Sequence, residues 1–262
     1  MRSRAGSLPA GVLGLVGVAL ALALGEVVPR LGLIDQKYLP PISQILAAFG
    51  TNLTLTAFWV AVWDTMLSWA IGLLIAAALA VFVGLVIGTN RTLREVTHST
   101  IEFLRPIPSV ALIPLAVLLF GVRIQSALML IIYAAFWQIL IQVLSGVTDV
   151  DMVAENTARS YGLGRLARIR HVTWPTALPY VMTGMRLGAA VALILAVTAE
   201  LIIGNPGLGR EIALAQSGGA ATPMYALVLF TGLIGVVINI GMRWVERKVL
   251  AWHPSVRAEV HV

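Results

Sequence analysis

The sequence predicts an all-α polytopic membrane protein with six transmembrane helices and both termini in the cytoplasm. Three observations point there. The 262 residues are 59% hydrophobic and only 11% charged, where a water-soluble domain is about half apolar and about one quarter charged. Mean hydropathy is +0.92, a surplus that a bilayer hides and the interior of a soluble globule does not. The apolar residues fall in separate runs of crossing length, with the basic residues gathered on alternate sides.

The first span is Leu8–Val28, preceded by Arg2 and Arg4. A cleaved signal peptide starts the same way. The length of the run, about the 20 residues that cross a bilayer, favours a retained span. The second lies within Phe58–Gly88, longer than one crossing and so open to tilt. The third, Pro106–Gly121, is short and holds Pro106, Pro108 and Pro114. Proline removes a backbone donor and clashes with the preceding turn. Such irregularity survives in a membrane only under cover of protein or a water-filled cavity, so this span is expected inside the bundle. The fourth is Ile124–Val147, the fifth Tyr180–Ile203 and the sixth Met224–Trp244. Strands are disfavoured because no ten-residue alternating segments occur.

Orientation follows from charge. With the N-terminus inside, the cytoplasm receives Arg2, Arg4, Arg91, Arg94, Arg105, Arg159, Arg165, Arg168, Arg170, Arg243, Arg247, Lys248 and Arg257. The outside receives Arg30, Lys37, Arg123 and Arg210. This is a clear positive-inside bias. It also accounts for the net charge of +6, so nucleic acid is not an expected partner. The organisation read from this is an N-terminal span with an extracytoplasmic segment (1–57), a core (58–250) with a long cytoplasmic loop (148–179), and a cytoplasmic tail (251–262).

The loop is the most informative segment. It holds Asp149, Asp151, Glu155, Arg159, Arg165, Arg168 and Arg170. Each such charge would cost about 2.5–3.5 kcal/mol at the bilayer centre, so the loop belongs in water or against a protein. Asp149 or Asp151 can cap a first helix. Gly162 and Gly164 break the chain, a second short helix fits Arg165–His171, and Pro175 is expected to stop it. A solvated connector is the plainer reading. The length of the loop and its apolar Val153, Leu163, Leu166 and Ile169 favour a docking surface instead.

At these residues the chain resembles the permeases of binding-protein-dependent ABC importers, whose cytoplasmic loop reads Glu-Ala-Ala, three residues, Gly, nine residues, Ile, one residue, Leu-Pro. Asn156, Thr157 and Ala158 take the Glu-Ala-Ala positions. Gly162 matches, Val172 stands for Ile, and Trp174-Pro175 stands for Leu-Pro. The missing acid is the main departure, and Glu155 replaces it only if the helix rotates. Further stretches resemble the nitrate, sulfonate and taurine subfamily. They are Leu104–Pro108, Ala111–Pro114, Ala158–Gly162, Gly184–Arg186, Pro206–Gly209 and Arg243–Arg247, in family order.

The resemblance implies a MetI-like permease fold in the bacterial inner membrane. It implies a second permease copy, two ABC ATP-binding subunits that receive the loop, and an extracytoplasmic binding protein that delivers the solute. ATP is then used by the partner, with no cofactor bound directly. No phosphate-binding Gly-x4-Gly-Lys-Ser/Thr motif occurs in this chain.

Polar residues inside spans are candidates for the pathway. Packing is the first reading for Gln138, Gln142 and Asn239. For Asp64 and Glu200 the two readings stand level. An ion-coupled secondary transporter or channel is the alternative, and it would need those two carboxylates; copurification of an ATPase separates the cases. There are no cysteines, and His98, His171, His253 and His261 are scattered, so no metal site is expected. No nucleophile and base are evident at one depth, so an enzyme is not expected either.

Overall fold

The computed structural model describes residues 10–252. The expectations at Arg2, Arg4, Leu8, His253, Arg257 and His261, and most of the 251–262 tail, lie outside the described residues. Among the described residues the secondary structure is helical throughout. Helices α1 (Ala10–Arg30) and α2 (Ile42–Asn52) are followed by α3 (Thr56–Gly88), α4 (Arg91–Leu104), α5 (Ile113–Phe120) and α6 (Ile124–Thr148). Then come α7 (Met152–Ser160), α8 (Arg165–Arg168), α9 (Trp174–Ile203), α10 (Leu208–Ser217) and α11 (Ala221–Val249). Five helical runs are long and apolar enough to cross a membrane, and the bent pair α4–α5 passes the same test when taken together, as a broken span or a re-entrant loop.

The chain forms two compact units. One runs up to Trp59 and includes Glu211–Phe230. In it, the carboxylate of Glu26 on α1 accepts from the backbone N–H and hydroxyl of Ser43, each at 2.9 Å. This satisfies an early N–H of α2, whose Pro41 cap has no side chain to do so. Phe58 meets Phe230 edge-on at 4.7 Å. Trp59 donates its indole N–H to Leu53 O at 2.9 Å.

The other unit comprises Val60–Arg210 and the segment from Thr231. Its centre is α6, whose Leu130, Ile131, Ile139, Leu140 and Val143 are fully buried. Glycines let two neighbours come close. A Cβ on Gly84 or Gly88 of α3 would stand 2.6–2.7 Å from Val143 or Val147, and one on Gly188 of α9 would stand 2.9 Å from Ile139. Gly84 and Gly88 of α3, like Gly184 and Gly188 of α9, stand four residues apart, a small-xxx-small spacing that here serves contact with α6. Trp69 of α3 bonds Ala189 O of α9 at 2.9 Å. Arg186 of α9 pairs with Glu246 of α11 at 3.4 Å, which puts the inner ends of those helices at one level.

Three expectations are corrected. Pro106–Gly121 is not one span: a 3-10 turn, Ser109–Leu112, leads into α5, and α4 precedes it at an 81° bend. The prolines force this break, and Tyr133 caps the end of α4 by donating to Leu104 O at 2.7 Å. Nor is the segment enclosed within this chain, because only Ile113 and Ala116 of α5 are buried while Leu118 is 81% exposed. Finally, Pro175 does not stop a helix. The second loop helix passes through a π turn, Ile169–Thr173, straight into α9. Proline is tolerated in the first turn of α9, and the wider π turn relieves the clash of its ring with the carbonyl four residues earlier.

Candidate functional site

The cytoplasmic loop folds as an elbow. Asp151 caps α7 by accepting from Val153 N at 2.8 Å. Asp149, the other capping candidate, instead accepts from the Tyr180 hydroxyl at 2.7 Å and ties the loop to α9. Gly162 sits at φ +77°, which L residues rarely adopt. It closes α7 as a Schellman motif: Leu163 N donates to Ala158 O at 3.0 Å and Gly162 N to Arg159 O at 2.9 Å. The carboxylate of Glu155 faces back across the bend and pairs with Arg168 and Arg159. Arg168 is the less exposed partner, so the clamp joins α7 to α8 from inside the elbow.

The residues at the family positions divide by face. Ala158 is buried under the bend, Val172 and Pro175 are half-buried, and Asn156 and Thr157 are exposed. Glu155 is taken up by the arginines and does not stand out as a replacement for the missing acid. The outer surface carries Met152, Val153, Tyr161 and Leu166, each 70–81% exposed. His171 is also exposed. These apolar side chains are bare on a loop too charged to enter lipid.

At the opposite ends of α3 and α9 lies a buried polar knot. Glu200 is 1% exposed. Its Oε2 accepts from the Thr65 hydroxyl at 2.8 Å and from Gly209 N at 3.0 Å. Thr65 Oγ1 accepts in turn from Leu208 N at 2.9 Å. A threonine and a glutamate thus cap α10, whose first N–H groups point at them. The glycines make this possible. Gly207 is at φ +148°, and a Cβ there would strike the Glu200 carboxyl; one on Gly209 would strike the carbonyl of Val197. Asn205–Gly207 is thus a tight turn between α9 and α10, with Glu200 as the post it wraps. Sequence reasoning missed Thr65 as a partner; its only signal was a hydroxyl beside Asp64 in an apolar span.

Asp64, Arg123, Glu200 and Asn205 line one cavity of about 380 Å³ next to this knot. Gln138 lines a second, of about 540 Å³, with Arg94, His98 and Arg105 near the inner ends of α4 and α6. Gln142 packs beside Gly184, where a Cβ would come within 3.0 Å of it. Asn239 is exposed on α11. The structure thus brings Asp64 and Glu200 together at one cavity and leaves Gln138, Gln142 and Asn239 outside its lining. No group of three or more His, Cys, Asp or Glu able to hold a metal occurs among the described residues.

Helices threaded on one central span, a capped cytoplasmic elbow and a broken crossing define an integral membrane permease subunit. The chain belongs to the family described as binding-protein-dependent transport system inner membrane component, which matches residues 77–251. It is 31% identical to the taurine transport system permease protein TauC of Escherichia coli strain K12, over 92% of this chain and 89% of that one. It is 29% identical to the bicarbonate transport system permease protein CmpB of Synechococcus elongatus, over 72% and 69%. In fold it is similar to a chain of the inward-facing MetNI methionine ABC transporter, with a TM-score of 0.65 at 18% identity, covering 73% of this chain and 96% of that one. This is the MetI-type permease fold, and the chain is a membrane permease of an ABC importer.

Proposed function

We propose that the elbow at 156–175 is the seat of an ATP-hydrolysing partner, and that two copies of this chain with two such partners form the importer. The observation that carries this is the elbow's build: Tyr161 and Leu166 are bare on a frame fixed by Gly162 and by the Glu155–Arg168 pair, and Met152 and Val153 are bare on the helix leading into it. The continuous helical run from Arg165 to Ile203 adds a lever. At 1.5 Å per residue it extends for roughly 60 Å, about twice the hydrocarbon thickness. A push on Leu166 thus reaches the outer end without crossing a flexible joint. ATP is hydrolysed by the partner, and this chain supplies the path by alternating access.

The second copy has its own support. The irregular backbone from Pro106 to Leu112 and the bare face of α5 need protein or water around them in a membrane. A second copy packed on that face provides both the cover and a central path. An extracytoplasmic binding protein delivers the solute. The solute is a small oxyacid of the nitrate, sulfonate, taurine or bicarbonate kind, in keeping with the relatives.

The test is Leu166→Glu, which places a charge on the exposed apolar surface without touching the clamp. Membrane insertion should be unchanged, while the partner ATPase recovered with the purified chain should fall by at least about tenfold, the loss expected of a buried apolar anchor. Undiminished recovery would remove the elbow from the interface.

A further inference from the structure

The charges of the elbow are unevenly matched. Between Asn156 and Trp174 the chain holds Arg159, Arg165, Arg168 and Arg170 and no Asp or Glu. The acids just before this stretch are each engaged within the chain. Asp149 accepts from the Tyr180 hydroxyl, Asp151 caps α7, and Glu155 pairs with Arg168 and Arg159. Arg165 and Arg170 are exposed and have no ion pair among the described residues. They bracket the bare Leu166: Arg165 adjoins it, and Arg170 follows it by four residues, about one helical turn. This arm of the elbow thus presents an apolar side chain with a guanidinium on either side and no acid to balance them.

A groove that covers Leu166 must bring its rim over Arg165 and Arg170. A guanidinium taken out of water costs free energy unless it meets a carboxylate, which it can bond through two parallel N–H donors. A rim of Lys or Arg would set like charges together and be rejected. The inner leaflet is another negative surface on this side of the membrane, and the lever holds the arm away from it. From Tyr180, where the apolar run of α9 begins, back to Leu166 the helical run extends about 20 Å. That is more than twice the screening length of about 8 Å at physiological salt. Asp149 and Asp151 directly follow α6, where an anionic surface would repel them.

We propose that the groove of the partner ATPase is acidic: an apolar pocket takes Leu166, and carboxylates on its rim bond Arg165 and Arg170. The proposal rests on the docking reading and adds the chemistry of the partner surface, so that the elbow selects an ATPase with acids at those places.

The test uses the full chain in phosphatidylcholine nanodiscs and measures its affinity for the ATPase subunit. Reversal of both charges, Arg165→Glu with Arg170→Glu, should weaken binding at least about tenfold, within the couplings measured for close charge pairs across interfaces. Arg165→Lys with Arg170→Lys should keep more of the affinity. Binding of the parent should weaken as salt is raised, and binding of Arg165→Gln with Arg170→Gln should respond less. Among single Asp→Lys and Glu→Lys changes on the ATPase surface, at least one should restore binding of the charge-reversed chain. Membrane insertion and thermal unfolding of each variant report folding, and both should match the parent because the two arginines are exposed and unpaired. A charge-reversed chain that binds as tightly as the parent, or the absence of any restoring change, would overturn the acidic groove. A loss that appears in nanodiscs of anionic lipid but not in phosphatidylcholine would assign the arm to the lipid surface and overturn it too. Leu166→Glu separates the two readings. Binding lost in Leu166→Glu but kept on charge reversal rejects the acidic groove alone, and binding kept in both rejects the docking reading as well.

Discussion

The elbow at the inner end of α9 and the turn at its outer end use the same parts, a positive-φ glycine and one glutamate, and reach opposite results. At the elbow nothing crowds Gly162, and Glu155 is paired with arginines in reach of water. At the outer turn Gly207 and Gly209 press on Glu200, which is buried and held by a hydroxyl and a backbone N–H. The first leaves a bare surface, the proposed seat of the ATPase. The second is a lock that fixes Leu208 and Gly209, the first residues of α10, to Thr65 and Glu200. Glycine at the elbow is needed for its φ; at the lock it is needed for space as well.

The comparison can be broken by substitutions of falling size. Gly209→Ala should be the most damaging, because the new methyl meets backbone atoms of Val197 and Leu201 that cannot step aside. A loss of about 3 kcal/mol is expected, read as thermal unfolding of the detergent-extracted protein. Thr65→Val keeps the shape but strands Leu208 N–H, so about 2 kcal/mol should be lost, with Thr65→Ser restoring most of it. If Thr65→Val were neutral in the same melt, the lock would not be hydrogen-bonded as described.

Gly162→Asp should be milder in stability, about 1 kcal/mol, because Asp tolerates the left-handed region better than most residues. Its effect should appear instead in copurification of the ATPase, which is expected to drop while membrane insertion is intact. An equal loss in both would mean that the elbow is a structural corner like the outer turn. Glu155→Gln should be the weakest. A partly exposed ion pair contributes under about 1 kcal/mol, and any difference from the parent should shrink as salt is raised.

Much of this was legible in the sequence, for physical reasons that differ along the chain. The spans at Ile124–Val147 and Tyr180–Ile203 were readable because lipid requires long apolar runs whatever their neighbours are. The end of α7 at Gly162 was readable because glycine is the residue that closes a helix through positive φ. The α4–α5 bend was half-readable: Pro106 and Pro108 announced a break but not the amphipathic helix before it. Pro175 misled because a proline in the first turn of a helix and a proline that ends one look alike until the preceding turn is seen. The Thr65–Glu200–Gly209 knot joins residues up to 144 positions apart. No local pattern reports such a pairing, so Glu200 was flagged by its charge and Thr65 was not flagged at all.

Uptake of labelled solute into proteoliposomes tests the docking elbow most directly, comparing the chain alone with the chain plus its ATPase, binding protein and enclosed ATP. Uptake is expected only in the complete system and should fall when Leu166→Glu replaces the parent chain. Equal uptake by the chain on its own, with no nucleotide present, would contradict it.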